Sequence, residues 1–197
     1  MATITEHEPI AEVDLSGLPN DARYEVIRGR AVEKVSMGSY PVGVASILQT
    51  HLGVFVDQAK LGRSVTEMLF RIDAGTQYRP DVAFVSDERW SIELREPKKQ
   101  PWNIVPDLPI EVISETDGAE DILEKTRDYF DAGARAVWLI YPSFELVYVY
   151  ETFHRIKVVT RNEVLDGGDV IPDFRLPLAT LFRGRAPEED TEDDPAD

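Results

Sequence analysis

Residues 108–114, LPIEVIS, set one glutamate inside an otherwise apolar run of strand length. An ionised carboxylate among β-branched neighbours is costly unless it is paired, protonated or bound to a cation. The run is too short for a helix and reads as a buried strand. Residues 115–133, ETDGAEDILEKTRDYFDAG, follow it, and here Thr116 or Asp117 can cap a helix that ends at Gly133. AVWLIYP then supplies a second buried strand. Strand, helix, strand in this order is how a right-handed crossover between parallel strands reads, so the chain is expected to be α/β.

The remaining segments fit around that unit. Residues 24–36, YEVIRGRAVEKVS, read as a hairpin that reverses at Arg28-Gly29. Between Pro41 and Lys60 the period changes. Val44, Ala45, Leu48, Leu52, Phe55 and Ala59 recur at three- and four-residue steps, the pattern of one buried helical stripe that closes before Gly62. Residues 64–73 and 78–85 each alternate as one strand, joined by a turn at Ala74-Gly75. Residues 86–107 are charged, hold three prolines and predict a long loop of the kind that borders functional sites. Residues 146–160 predict a further hairpin, and residues 170–182 a closing segment. No internal repeat is present.

The chain has 197 residues, 43% of them hydrophobic, which suits one core. We expect a single domain over residues 15–186, between disordered acidic segments at 1–14 and 187–197. Absence of cysteine excludes disulfides, zinc–thiolate sites and a cysteine nucleophile. Neither a secretory leader nor an apolar run of membrane-spanning length occurs, so the expectation is a soluble cytoplasmic protein with no membrane partner. The formal charge of −16 opposes tight binding to a polyanion. Part of it is terminal: residues 187–197 carry seven acidic groups, and Glu6, Glu8, Glu12 and Asp14 precede Leu15.

Asp81, after Pro80 at the head of a strand, is the second carboxylate in an apolar run. On a period of two, Glu111 and Ile113 share one strand face, and Asp81 shares a face with Ala83. Were the two strands neighbours, both carboxylates would converge on one hard cation such as Mg²⁺. The competing explanation is a buried ion pair of Glu111 with Arg79 or Arg127. Lys125, on the following helix, can turn towards the carboxylates and stabilise a phosphoryl transition state, or pair with Asp121 four residues earlier. Glu67, Arg71 and Asp73 read as cross-strand ion pairs, and Arg155 with Lys157 as too few charges for a phosphate-binding patch. Neither a glycine-rich phosphate loop nor a nucleophile elbow occurs.

YEVIRGRAVE, YRPDVAFV, LPIEVIS, the helix carrying Asp121, Lys125 and Tyr129, and AVWLIYP occur in that order. Together they closely resemble the Uma-type endonuclease family, a branch of the PD-(D/E)XK restriction-endonuclease-like superfamily, from about residue 24 to residue 182. The resemblance implies a restriction-endonuclease-like core with a mixed central β-sheet flanked by α-helices. It also implies Mg²⁺-dependent hydrolysis of DNA phosphodiesters, with Mn²⁺ as a substitute ion. Asp81, Glu111 and the Val112 carbonyl are the implied metal ligands. The superfamily places a lysine two residues after the acidic one, where this chain has Ile113; the resemblance makes Lys125 its replacement. Glu25 matches another acidic position, as an outer ligand of metal or water or as a hairpin surface charge. A histidine that often begins the family's helix near 42–44 is absent, and His51 reads as a packed side chain.

The expected function is a Mg²⁺-dependent DNA endonuclease. Two alternatives stand beside it: a catalytically silent nuclease-fold protein acting as an interaction or structural module, and a hydrolase of smaller phosphoesters. A homodimer is the base-rate expectation for assembly.

Overall fold

The computed structural model describes residues 23–34, 37–90 and 101–184. The terminal acidic segments and residues 91–100 of the expected long loop lie outside the described residues. In chain order the elements are β1 (Tyr24–Ile27), β2 (Arg30–Glu33), α1 (Ser39–Gln58), β3 (Gly62–Thr66), β4 (Phe70–Arg71) and β5 (Gln77–Tyr78). There follow β6 (Val82–Ser86), β7 (Leu108–Val112), α2 (Ala119–Asp131) and β8 (Val137–Tyr141). A 3-10 turn at Pro142–Phe144 leads to β9 (Leu146–Thr152), β10 (Arg155–Thr160), β11 (Val164–Asp166), β12 (Arg175–Pro177) and α3 (Leu178–Leu181).

Six strands form the central sheet in the order β10-β9-β8-β7-β6-β3. It is mixed: β7 and β8 run parallel, as the helical connection through α2 requires, while the other neighbours are antiparallel. A smaller sheet, β2-β1-β5-β4, and the β11-β12 pair complete the strands. No helix among the described residues is long and apolar enough to cross a membrane.

Alternation in the central strands sends apolar side chains to both faces. Val82, Phe84, Ile110, Val112, Trp138 and Ile140 meet the α1 stripe of Val44, Leu48, Leu52 and Val56. Each fully buried residue of that stripe contributes roughly 1.5–3 kcal/mol relative to an exposed position. On the opposite face Ala83, Val85, Val137 and Leu139 pack with Tyr129 of α2 and with Phe70, Tyr78, Trp90 and Trp102. The mixed sheet flanked by helices is the architecture expected from the sequence.

Several local expectations are corrected. Residues 64–73 are not one strand: Glu67 takes φ 52° and turns the chain, so that β3 joins the central sheet and β4 the small one. Residues 78–85 divide likewise at Pro80, which has no N–H for a ladder. Neither Thr116 nor Asp117 caps α2, whose N-cap is Gly118. Asp117 instead accepts hydrogen bonds from the Ser114 N–H and hydroxyl, both at 2.7 Å. His51 is exposed on α1 rather than packed.

Candidate active site

The register of β6 against β7 pairs Val82 with Ile110, which sets Asp81 and Glu111 one step further along the same two strands. Both are buried, at 3% and 7% exposure. Asp81 closes the end of that ladder with its side chain: Oδ2 accepts the Val112 N–H at 2.6 Å, and Oδ1 accepts the ammonium of Lys34 at 2.6 Å. The Glu111 Oε1 accepts the Tyr129 hydroxyl at 2.8 Å and lies 3.0 Å from the Lys125 Nζ.

The α2 helix decides this second contact. Its stripe of Ile122, Thr126 and Tyr129 faces the sheet, and Lys125 lies on the flank turned to β1 and β7. There Lys125 also donates to Glu25 Oε1 at 2.7 Å, and the same oxygen accepts the Arg79 N–H at 2.6 Å. Lys125 therefore turns inward rather than to Asp121. Glu111 pairs with Lys125, not with Arg79 or Arg127. Glu25 braces Lys125 and the strand before Asp81 rather than standing on the hairpin surface.

These groups line one cavity of about 370 Å³ whose walls include Glu25, Lys34, Asp81, Glu111, Val112 and Lys125. Burial drives the Glu111 carboxyl up to about 7, against the pull of Lys125 and with the help of the Asp81 charge. Burial works against the Lys125 ammonium, yet Glu111 and Glu25 outweigh it and hold the lysine charged well above its ordinary range. Burial and the neighbouring Glu111 likewise raise Tyr129, which stays a neutral donor.

Two members of the site escaped sequence reasoning. Lys34 ends the hairpin that the sequence does show, but nothing in its spacing says that it reaches Asp81. Glu67, read as a strand-face ion pair, instead turns at the site's edge, with its Oε1 3.6 Å from Lys34 and its Oε2 buried without a hydrogen-bond partner. Arg155 and Lys157 lie elsewhere, beside a separate cavity next to Trp138 and Val149.

Among the described residues, no three histidine, aspartate or glutamate side chains form a metal-holding group. The Asp81–Glu111 pair nevertheless suits Mg²⁺. That ion takes one or two carboxylates and keeps several waters, and each carboxylate here already draws a cation, Lys34 or Lys125. Among the described residues, a soft or nitrogen-seeking metal finds no thiolate or imidazole in this cavity.

The mixed sheet, the crossover helix and the two strand-borne carboxylates define a restriction-endonuclease-like α/β protein. Residues 11–179 match the Uma2 family model, described as "Putative restriction endonuclease", and the chain belongs to that family. A solved structure of similar fold is that of "a putative nuclease belonging to DUF820 from Anabaena variabilis". It has 19% identity and a TM-score of 0.70 over 81% of this chain and 89% of that one. A chain of a DrdV–DNA complex overlaps more slightly, with 16% identity and a TM-score of 0.34 over 74% of this chain and 14% of that one. Among curated proteins none matches the chain.

Proposed function

We propose that this protein is a Mg²⁺-dependent DNA endonuclease with Asp81 and Glu111 as metal ligands and Lys125 as the assisting cation. One observation carries the reading: two buried carboxylates from adjacent strands face a single cavity, with a half-buried ammonium 3.0 Å from one of them. Membership of the family described as "Putative restriction endonuclease" supports DNA as the substrate.

Asp81 and Glu111, with the Val112 carbonyl as the third ligand that the family resemblance implies, would hold Mg²⁺, which would supply an activated water and charge neutralisation at the scissile phosphate. The protein's own groups do the rest. Lys125 keeps its proton at neutral pH, so it acts as an electrostatic stabiliser of the developing phosphoryl charge and not as a general base. Glu25 fixes that ammonium through its 2.7 Å contact, and Tyr129 fixes the Glu111 carboxylate through its hydroxyl. Glu25 thus positions a catalytic group without itself needing to touch the phosphate.

The test is cleavage of single- and double-stranded DNA in Mg²⁺ or Mn²⁺, with calorimetric Mn²⁺ titration alongside. Asp81→Asn and Glu111→Gln are expected to abolish cleavage and Mn²⁺ binding while leaving the near-UV dichroism of the wild type. Cleavage retained by both variants would overturn the assignment. A wild type that binds no Mn²⁺ and cuts no DNA would point to the silent nuclease-fold module, which the lysine-satisfied carboxylates also favour.

A further inference from the structure

Among the described residues, Lys34 is the one cation lining the cavity that the chemistry above leaves without a task. Its side chain is 17% exposed, and its ammonium sits among three oxygens: Asp81 Oδ1 at 2.6 Å, the Arg79 carbonyl at 2.8 Å and Glu67 Oε1 at 3.6 Å. Two carboxylates and a carbonyl are the hard donors that a divalent cation seeks. A tethered monovalent cation fills their midst instead.

Both oxygens of Asp81 are engaged, since the other accepts the Val112 N–H at 2.6 Å. A dication joining this carboxylate meets the Lys34 ammonium at Oδ1, and the repulsion between the two in a buried site far exceeds thermal energy. The ammonium has somewhere to go. Glu67 is its nearest other carboxylate, and the Oε2 of Glu67 is buried with its hydrogen-bonding capacity unspent. A small swing of the lysine away from Asp81 would satisfy that oxygen.

We propose that Lys34 is a built-in competitor for the divalent ion at Asp81. It neutralises the carboxylate while the metal is absent, shifts to Glu67 when the metal enters, and so sets the metal concentration at which the site fills. The proposal rests on the reading of Asp81 and Glu111 as metal ligands.

Calorimetric Mn²⁺ titration of the full chain tests both and separates them. Lys34→Met and Lys34→Gln are expected to bind Mn²⁺ at least tenfold more tightly than the wild type, and Lys34→Arg to stay within a few-fold of it. Removing the lysine also leaves Asp81 buried without its cation. Mn²⁺ should therefore raise the melting temperature of Lys34→Met and Lys34→Gln by more than it raises that of the wild type. Equal or weaker Mn²⁺ binding by the two neutral variants, with the wild type binding, would overturn the competitor role and leave the metal site standing. A wild type and variants that all fail to bind Mn²⁺ would remove the metal reading, and this proposal with it.

Discussion

At the scale of single residues, the energetics of the cavity centre on Glu111. Its carboxyl stands at about 7 in the folded protein against an ordinary 4.5, chiefly because burial penalises its charge. Between those two values the folded chain holds a proton that the unfolded chain has released. The stability contributed by this group is therefore fully present below about pH 4.5 and is lost as the pH rises through 7. Its full extent is roughly 3 kcal/mol, from the free-energy equivalent of each pKa unit. Glu111→Gln removes the titration. In metal-free buffer the melting temperature of the variant should gain on that of the wild type between pH 5 and pH 8, as read by thermal denaturation. A constant difference across that range would show that Lys125 already compensates the Glu111 charge.

Among the elements, the contact of β3 with β6 has the narrowest tolerance. Gly62 opens β3 at φ 152°, and a Cβ there would stand 2.1 Å from the Val85 carbonyl oxygen and 2.7 Å from the Ser86 Cα. Both are backbone atoms and cannot rotate away. Gly62→Ala should therefore cost roughly 2 kcal/mol or more, from strain at a glycine-only conformation plus displacement of the edge strand. Chemical denaturation measures it, and a loss under 0.5 kcal/mol would mean that β3 shifts freely, a threshold set by the usual scatter of surface substitutions, about ±0.5 kcal/mol. The same neighbourhood explains why two strands were misjudged from sequence. Residues 64–73 alternate at each end, around Val65 and around Ile72, but Thr66-Glu67 and Met68-Leu69-Phe70 break the pattern where the chain turns, and a single-strand reading passes over that short break. The left-handed Glu67 is held by tertiary contacts: its N–H donates to the Pro80 carbonyl at 3.2 Å and its carbonyl accepts the Arg79 guanidinium at 2.5 Å. The α2 helix was far more legible, because the spacing of Ile122, Thr126 and Tyr129 is local and the helix binds its own backbone.

For the whole molecule, the central sheet joins two apolar clusters, one against α1 and one against α2 and the small sheet. Trp138 belongs to the first, Trp90 and Trp102 to the second. Strands β6, β8 and β9 carry side chains into both, so neither cluster can open without exposing the backs of the same strands. Thermal unfolding followed by tryptophan fluorescence, with Trp138→Phe to isolate the second cluster, should give midpoints that coincide with far-UV dichroism. Separate midpoints would mean that the small sheet unfolds independently. The sequence by itself determined the α/β class, the strand–helix–strand unit, and Asp81 and Glu111 as the costly carboxylates. Periodicity and burial cost are written in neighbouring residues. Only the tertiary structure decided what balances those charges: Lys34 reaches Asp81 across 47 positions, and Lys125 reaches Glu25 across 100. Pairings at such separations depend on where folding brings distant strands together, and local spacing does not carry that information.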